Sequence, residues 1–460
     1  MKLTVLGGGG VRSPFLAKSL TNKAKELGIT KITFMDNDEE KLKIYGGIAK
    51  RVADAIDSEI EFELTTDVEN AVTDANYVIT TLRVGQDEGR FQDETIAQKY
   101  GILGQETTGI GGFAMSLRSI PVLKEYCKLI NEKAASDVVI FNFTNPSGLV
   151  TQALRNEGFD NVYGICDGPS HFTHQLAELL EVENNRFDVT CYGLNHLSFF
   201  RDAKVDGKDV TNDILNHEKL FTETEMRLFD RQLLHILHDE LPNEYLYFFY
   251  YSDKVVESIR SNGSARGALI KDINQRMLSE IKKVDLNDID KVFKIYMTHL
   301  MEREKSYFAI ESGEVRPEEF PVPTFEEYIN TPDDGGYSSI ALNFIKAVSG
   351  NGDIAMTLMV PNNGSIKELN DEDVIEITCD ISKGKVEQRK INDIPDAQMQ
   401  IIRTIKMFER LTVESIKEKN REKAIKALMV HPLINTYHIA SKILDEFLVL
   451  YKNYIGEWEW

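Results

Sequence analysis

A cysteine and a histidine in two short polar motifs could hold a metal ion. Cys166 lies in Gly-Ile-Cys-Asp-Gly-Pro, and His196 lies in Gly-Leu-Asn-His-Leu-Ser. A thiolate and an imidazole favour zinc, iron or cobalt by their softness, and water or substrate oxygens would complete the coordination shell. The alternative is a buried cysteine and a histidine with a purely structural role. The adjacent Asp167 and Asn195 strengthen the metal hypothesis.

Two further segments contain few apolar residues and many reactive side chains. The first covers residues 83–106 and continues through the glycine-rich residues 107–112, and the second is Asn-Phe-Thr-Asn-Pro-Ser at residues 142–147. Both segments, like the Cys166 motif, follow predicted strands. Ligands of open α/β sheets bind beyond the carboxyl ends of the strands, so we expect these motifs to lie together.

Four consecutive glycines, residues 7–10, follow the first apolar segment and could hold a dinucleotide. Glycines let the backbone turn tightly and approach a pyrophosphate, and the next helix N-terminus offers N–H groups to the anion. Arg12 stands where the usual G-x-G-x-x-G motif has its last glycine, so the match is partial. Asp36 ends the second predicted strand and would accept hydrogen bonds from the ribose hydroxyls, which favours NAD over NADP. The alternative is a glycine-rich turn without a nucleotide.

The elements that would position these residues alternate between strands and helices in the first part of the chain. Ser13 and Pro14 open one predicted helix, and residues 39–56 form another. The predicted strands cover residues 2–6, 32–35, 60–64, 75–82, 138–143 and 161–166. This alternation predicts an α/β fold with a parallel, doubly wound, Rossmann-like sheet.

The pattern changes after about residue 185. Residues 187–203 alternate between apolar and polar types and lead into Val-Asp-Gly-Lys, which predicts a hairpin. Strands at residues 354–360 and 374–382 and long helices follow. We therefore predict a NAD-binding Rossmann-like domain over residues 1–185 and a mixed α+β domain that binds substrate and metal over residues 186–460.

Composition limits the classes of function. The 460 residues include 53 Lys+Arg and 74 Asp+Glu, a net charge of −21, which argues against nucleic-acid and anionic-membrane partners. No apolar run reaches the roughly 18 residues of a membrane helix, and no signal peptide is evident. The four cysteines form no C-x-x-C pair and predict neither a zinc ribbon nor a disulfide framework. We expect a reducing, cytoplasmic compartment.

Several motifs together resemble the NAD-dependent glycoside hydrolase family 4. They are KYGILGQETTGIGG, FNFTNPSG, GICDGP, GLNHLSFF and VPNNGSI, and they occur in the family's order. A malate or lactate dehydrogenase would share the fold and an Asn-Pro pair, but it would lack the QETTG segment and the paired motifs around Cys166 and His196. The resemblance implies a malate/lactate dehydrogenase-like N-terminal sheet and a glycosidase that departs from the two-carboxylate mechanism.

The resemblance implies a reaction that begins with hydride transfer from C3 of the sugar to NAD+. The resulting ketone acidifies the C2 proton, a base removes that proton, and the aglycone leaves from C1 by elimination. Water then adds and the hydride returns, so no net oxidation occurs. A divalent metal, usually manganese in this family, stabilises the enediolate. Thiolate ligation is atypical for Mn2+, so the resemblance and the argument from softness disagree.

The resemblance also implies roles for individual residues. Asp167 would protonate the leaving oxygen and Tyr245 would be the base, with Tyr250 in the same aromatic segment as the second candidate. The metal ligands would be Cys166 and His196. The cofactor-binding residues would be Gly7, Gly8, Gly9, Gly10, Val11, Arg12, Asp36 and Arg83, and the substrate-binding residues would be Arg90, Glu106, Asn145, Asn195 and Arg266.

The predicted activity is hydrolysis of a phosphorylated disaccharide or aryl glucoside by a 6-phospho-β-glucosidase that needs NAD and a divalent metal. The GLNHLSFF motif and the hairpin after it favour the β-specific branch, whereas Asp167 after the cysteine is common in the α-specific branch. Three alternatives stay open: an α-glycosidase of the same family, with or without a substrate phosphate, a NAD-dependent hydroxy-acid or sugar dehydrogenase, and a non-catalytic NAD sensor. We expect a homodimer or homotetramer.

Overall fold

The computed structural model describes residues 1–313, 320–332 and 338–459 and divides into two compact units. The first unit contains Met1–Glu106, Pro121–Asn145 and Asp253–Leu342, and the second contains Thr107–Ile120, Pro146–Ser252 and Asn343–Trp460. The division predicted at residue 185 does not coincide with the boundaries of these units. Both units are instead assembled from separate stretches of chain.

The strands of the described chain are β1 (Lys2–Leu6), β2 (Lys31–Met35), β3 (Glu61–Thr65), β4 (Tyr77–Thr80), β5 (Val139–Asn142), β6 (Val162–Gly164), β7 (Phe187–Leu194), β8 (Leu197–Val205), β9 (Lys208–Asp209), β10 (Leu241–Pro242), β11 (Ile354–Pro361), β12 (Val374–Ser382) and β13 (Lys385–Gln388).

The α-helices are α1 (Ser13–Leu27), α2 (Glu39–Lys41), α3 (Gly47–Ile56), α4 (Val68–Val72), α5 (Gln86–Lys99), α6 (Ile110–Lys133), α7 (Ser147–Asn156), α8 (Asp167–Leu179), α9 (Thr211–Leu215), α10 (Leu220–Glu223), α11 (Arg231–Ile236), α12 (Tyr247–Tyr250), α13 (Ser252–Asn262), α14 (Arg266–Ile281), α15 (Ile289–Lys305), α16 (Ala309–Ser312), α17 (Phe325–Asn330), α18 (Ser339–Val348), α19 (Asp396–Glu418), α20 (Arg421–Val430), α21 (Tyr437–Leu450) and α22 (Lys452–Ile455). A π-helical turn, Leu42–Gly46, joins α2 to α3. No described helix is both long and apolar enough to cross a membrane.

The first unit contains a parallel sheet in the order β5-β4-β1-β2-β3. The central strand β1 is almost continuously apolar, and Leu3, Val5 and Leu6 are fully buried. Buried strands of this kind are typical of parallel sheets, whose two faces are both covered. The parallel, doubly wound α/β sheet predicted from the first part of the sequence is confirmed.

Helices from the middle of the chain complete the first unit. Apolar side chains of α14 and α15, among them Met277, Phe293 and Tyr296, form one buried cluster with Ile48 and Val52 of α3. Burial of these apolar side chains contributes a large favourable free energy to folding. The sequence does not reveal this contact, because α3 is far from α14 and α15 in the chain. By their contacts, residues 253–342 therefore group with the first unit.

The second unit contains an antiparallel sheet in the order β10-β8-β7-β12-β11-β6. The strand β6, predicted as the last strand of the parallel sheet, pairs antiparallel with β11 through Gly164 and Met359. The predicted hairpin is confirmed, because β8 and β9 are joined at Asp206 and Gly207, which both have positive φ angles of 50° and 79°.

Candidate functional site

The glycine turn after β1 is pressed against neighbouring backbone. Gly7 has a φ of +104°, and a Cβ there would lie 2.5 Å from the carbonyl oxygen of Thr81. A Cβ at Gly8 would lie 2.6 Å from the Cβ of Phe34. The N–H groups of both glycines donate to the carbonyl oxygen of Met35 at 2.8 Å. Larger residues are therefore excluded, and the turn is the tight, open-faced kind that a pyrophosphate needs.

Asp36, the residue predicted to bind the ribose, lies against this turn. Its carboxylate accepts the N–H of Gly9 at 2.9 Å and the N–H of Asp38 at 3.0 Å. Burial raises the pKa of Asp36, and the two N–H donors partly oppose that rise. A Cβ at Gly9 would lie 2.9 Å from the carboxylate, so the missing side chain keeps this cradle open. The turn and the acid together fit a NAD ribose and pyrophosphate.

Two residues after the glycines are held by helix α15. The Val11 carbonyl oxygen accepts the hydroxyl of Tyr296 at 2.9 Å, and Arg12 forms an ion pair with Glu304 at 2.8 Å. The sequence did not indicate these contacts, because α15 lies far along the chain.

A second predicted group in the first unit centres on Glu106. Its carboxylate contacts the guanidinium of Arg83 and accepts from Arg90 Nη1 at 2.6 Å. Arg90 Nε also donates to Glu94 at 2.8 Å. Burial alone would raise the pKa of Glu106, but Arg83 and Arg90 hold it well below its ordinary value. The predicted substrate residues Arg90 and Glu106 thus belong to a buried ion-pair network. The network also includes Glu94, for which the sequence predicted no role.

Arg266 and Asn145 complete the predicted residues of the first unit. Arg266 begins α14, and its guanidinium donates to the carbonyl oxygens of Ser306 at 3.2 Å and Arg303 at 3.3 Å. Asn145 is partly exposed and follows Thr144, whose hydroxyl accepts the N–H of Leu82 at 2.9 Å.

The second unit brings Cys166 and His196 together. Cys166 Sγ and His196 Nε2 lie 3.6 Å apart. Bonds of about 2.3 Å to sulfur and about 2.1 Å to nitrogen that meet at a tetrahedral angle span about 3.6 Å, so one ion can reach both atoms. Within the described residues, no group of three or more His, Cys, Asp or Glu side chains could hold a metal. The pair therefore fits an ion whose other ligands come from substrate or water.

Strain and contacts on both sides fix the position of His196. The residue has a φ of +62° in the turn between β7 and β8. Its Nδ1 lies 2.9 Å from Thr107 Oγ1, and a partner on that nitrogen leaves Nε2 available to a metal. The ring stacks on Tyr245 with centroids 3.8 Å apart and planes 6° apart.

Buried carboxyl groups surround the pair. Burial raises the pKa of Glu244 to about 8 and that of Glu376 to about 7. Burial, together with the charges of Asp167 and Glu376, also raises the pKa of the Cys166 thiol. A bound cation would lower all these pKa values, because it stabilises the ionised forms of the neighbouring acids.

Asn195 precedes the candidate ligand His196 in the sequence, and Asp167 follows the candidate ligand Cys166. The Asn195 side chain donates to Glu376 at 3.0 Å and accepts the N–H of Gly148 at 3.3 Å. Asp167 begins α8, with Oδ1 4.0 Å from Cys166 Sγ. Sequence reasoning missed Glu376, although an acid among the buried apolar residues of β12 is a readable signal. The sequence also indicated no role for Thr107, which lies within the KYGILGQETTGIGG motif.

The two tyrosines that are candidates for the base have different surroundings. Tyr245 is partly exposed, and its N–H donates to Asn243 Oδ1 at 3.0 Å. Burial raises the pKa of Tyr250 to about 12, which makes that phenol harder to deprotonate. Tyr247 and Phe248 are buried and contribute to the core.

Comparisons with known proteins agree with these motifs. A model of family 4 glycosyl hydrolases matches residues 2–182, and a model of the C-terminal domain of that family matches residues 191–434. A 6-phospho-β-glucosidase of Thermotoga maritima is 31% identical, with 99% of each chain covered. A maltose-6′-phosphate glucosidase of Clostridium acetobutylicum is 28% identical, covering 99% of this chain and 98% of the relative.

Solved structures give the same grouping. The Thermotoga maritima 6-phospho-β-glucosidase, solved with manganese, NAD+ and glucose 6-phosphate, has a TM-score of 0.82 at 29% identity and covers 100% of both chains. A malate dehydrogenase of Naegleria fowleri has a TM-score of 0.51 at 13% identity, with 90% of this chain and 98% of that chain covered, which supports the dehydrogenase-like fold.

Proposed function

The chain belongs to glycosyl hydrolase family 4, and from that premise we propose that it hydrolyses 6-phospho-β-glucosides with NAD+ and a divalent metal as cofactors. The observation that carries the proposal is the Cys166–His196 pair, 3.6 Å apart, with Tyr245 stacked on the imidazole. A dehydrogenase for hydroxy acids has no need of this constellation. The relative from Thermotoga maritima, which carries a 6-phospho-β-glucosidase name, supports the same substrate class.

The glycine turn and Asp36 would bind NAD+. Gly7 and Gly8 keep the backbone close to β2, and the carboxylate of Asp36 is positioned for the ribose hydroxyls. Arg12 is paired with Glu304 and Arg83 with Glu106, so each guanidinium has a defined position. A carboxylate at residue 36 repels a 2′-phosphate, which supports NAD over NADP.

Cys166 and His196 would hold the metal, and manganese is supported by the related structure that contains it. When bound, NAD+ accepts a hydride from C3 of the sugar and the metal stabilises negative charge on the sugar oxygens. Thr107 holds the far nitrogen of His196, and the acidic side chains around Cys166 favour a cation over an empty pocket.

Tyr245 would take the C2 proton and Asp167 would give a proton to the leaving oxygen. Tyr245 is partly exposed, so its proton can exchange with solvent. Its ring lies on the candidate metal ligand His196, and a cation bound there favours the phenolate. Arg90, Glu106, Asn145, Asn195 and Arg266 would contact the sugar hydroxyls and the 6-phosphate.

The test is hydrolysis of p-nitrophenyl β-glucoside 6-phosphate. Activity should require both NAD+ and Mn2+, and omission of either should reduce it to background. The α-anomer and the unphosphorylated β-glucoside, at matched concentrations, should react more slowly. Preference for the α-anomer would assign the chain to α-glucosides, and equal rates with and without the phosphate would contradict the substrate class.

We also propose that the chain acts as a homodimer or homotetramer in the cytoplasm. Val449, Tyr437 and Met407 on the C-terminal helices are 80%, 61% and 53% exposed, and covering them in an oligomer would be favourable. All four cysteines are free thiols, as a reducing compartment requires. Light scattering of the purified protein would give the mass, and a monomer would contradict the first part.

A further inference from the structure

Two arginines of the first unit, Arg266 and Arg303, lie close enough to repel each other, and neither forms an ion pair with a described carboxylate. Arg266 at the start of α14 donates through Nη2 to the backbone oxygen of Arg303 near the end of α15, at 3.3 Å. Arg266 Nε donates to the carbonyl oxygen of Ser306 at 3.2 Å. Across the described ranges, neither guanidinium forms an ion pair with an acidic side chain.

The arginines around them differ in this respect. Their neighbours are ion-paired: Arg12 with Glu304 at 2.8 Å, Arg90 with Glu94 at 2.8 Å and with Glu106 at 2.6 Å, and Arg83 with Glu106. Three arginines of this region are therefore ion-paired. Within the described residues Arg266 and Arg303 form no ion pair, and Glu311 and Asp87 act on them only at longer range.

The Arg303 guanidinium has one protein partner in the part of the chain that the structure describes. Its Nη1 donates to Asn274 Oδ1 at 3.3 Å, and Asn274 in turn donates to Asp87 at 2.7 Å. The amide of Asn274 thus connects Arg303 to the carboxylate of Asp87. Burial and the positive charges of Arg12, Arg266 and Arg83 lower the pKa of Arg303 to about 10, so the group stays charged at neutral pH.

A partly buried guanidinium that lacks an ion-pair partner is unfavourable in the free protein. A dianionic phosphate would reverse this, because two nearby guanidiniums offer several N–H donors and two positive charges to its oxygens. Arg266 was predicted from the sequence to contact substrate, whereas no motif pointed to Arg303.

We propose that Arg303 binds the phosphate of the substrate together with Arg266 and so helps to select phosphorylated sugars. This inference rests on the proposed function, and it adds a specificity-determining residue to it. Arg303 would recognise phosphate oxygens, and these could belong either to the substrate phosphate or to the pyrophosphate of NAD.

The experiment measures binding by calorimetry on the full chain in the presence of Mn2+, with glucose 6-phosphate, glucose and NAD+ as separate ligands. The variants are Arg303→Met, which removes the charge, and Arg303→Lys, which keeps it. Arg276→Met is the matched control, because Arg276 lies on α14 but is paired with Asp272 and Glu302.

We expect Arg303→Met to weaken glucose 6-phosphate binding by about 10–100-fold, the usual effect of losing a charge-assisted contact. Arg303→Lys should lose less, and Arg276→Met should bind as the parent does. NAD+ affinity should stay within about twofold. The melting temperature of ligand-free Arg303→Met should equal or exceed that of the parent, because a partly buried charge without an ion pair is removed. A purely structural arginine would instead lower the melting temperature.

Three results would overturn the inference: glucose 6-phosphate affinity unchanged in Arg303→Met, an equal loss of NAD+ affinity, or a loss in Arg276→Met as large as that in Arg303→Met. A measurement on the parent protein distinguishes failure of this inference from failure of the proposed function. If the parent binds glucose as tightly as glucose 6-phosphate, the phosphorylated substrate class itself is wrong and the role of Arg303 is wrong with it.

Discussion

Cys166 and His196 come from different structural contexts and reach one point. Cys166 precedes α8 in a loop with extended backbone, whereas His196 occupies a tight turn with positive φ. Non-glycine residues are uncommon in that region of φ, and they persist where the surroundings hold them in place. Here the surroundings are Thr107 on one nitrogen and Tyr245 on the ring face.

Loss of either candidate ligand should remove the metal but not the dinucleotide. Cys166→Ser and His196→Ala should abolish hydrolysis and Mn2+ binding, while NAD+ affinity stays near the parent value, because the glycine turn is unchanged. His174→Ala, a change at a partly exposed histidine of α8, is the control. Full activity of Cys166→Ser at trace metal would contradict the assignment.

Tyr245→Phe should lower the rate by about 10²–10⁴, the usual contribution of a positioned acid–base group, and leave the fold intact because the ring remains. Tyr247→Phe is the control within the same segment and should change little. Product formed in deuterated water should carry deuterium at C2, because the proton on Tyr245 can exchange before it returns.

Two outcomes would change the interpretation of the aromatic segment. If Tyr245→Phe is active and Tyr250→Phe is not, the base is Tyr250 and the elimination mechanism survives. If the product lacks deuterium at C2 and a C2-deuterated substrate keeps its label, elimination is contradicted.

The elements of the second unit anchor these residues through buried polar contacts between strands. Glu376 in β12 accepts from Ser198 Oγ at 2.7 Å and from the amide of Asn195, on either side of His196. A buried carboxylate is costly unless it is hydrogen-bonded, so the position of the β7–β8 turn is coupled to that of β12.

The end of α20 contains a buried histidine that should make stability depend on pH. His431 packs against Phe249 and Phe408 and accepts the N–H of Leu433 on Nδ1 at 3.3 Å. Burial lowers its pKa from 6.5 to about 3. Below about pH 6.5 the unfolded chain therefore binds a proton that the folded chain does not, and the contribution of His431 to stability is lost as the pH falls.

His431→Asn should remove that dependence, because the amide can still accept the N–H but does not titrate. Between about pH 7.5 and about pH 5.5, the parent should lose roughly 1.4 kcal/mol more unfolding free energy than the variant. Urea titrations at the two values give the difference, and His438→Asn at an exposed position controls for a surface imidazole. Identical losses in parent and His431→Asn would mean that His431 is protonated in the folded state.

At the scale of the whole molecule, the proposed reaction regenerates its own cofactor. NAD+ should therefore be needed only in catalytic amount, and the absorbance of reduced nicotinamide should not rise in proportion to product. Stoichiometric NADH release would identify a dehydrogenase instead. The same assay with NADP+ should show weaker activation, because a carboxylate at Asp36 that binds the ribose hydroxyls would repel a 2′-phosphate.

Local patterns in the sequence were sufficient for much of this protein. The strand at residues 2–6, the glycine turn and Asp36 follow from short-range periodicity and from backbone geometry that only glycine allows. The motifs around Cys166 and His196 identified the family, because several reactive residue types recur there in a fixed order.

Only the tertiary structure decided the remaining features. The packing of α14 and α15 against α3 places residues 253–342 in the first unit, and the same packing sets Arg303 beside Arg266. Glu376 likewise reaches Asn195 across 181 residues. These relations depend on apolar burial and charge between segments distant in the chain, and such contacts leave no periodic signal in the sequence of either segment.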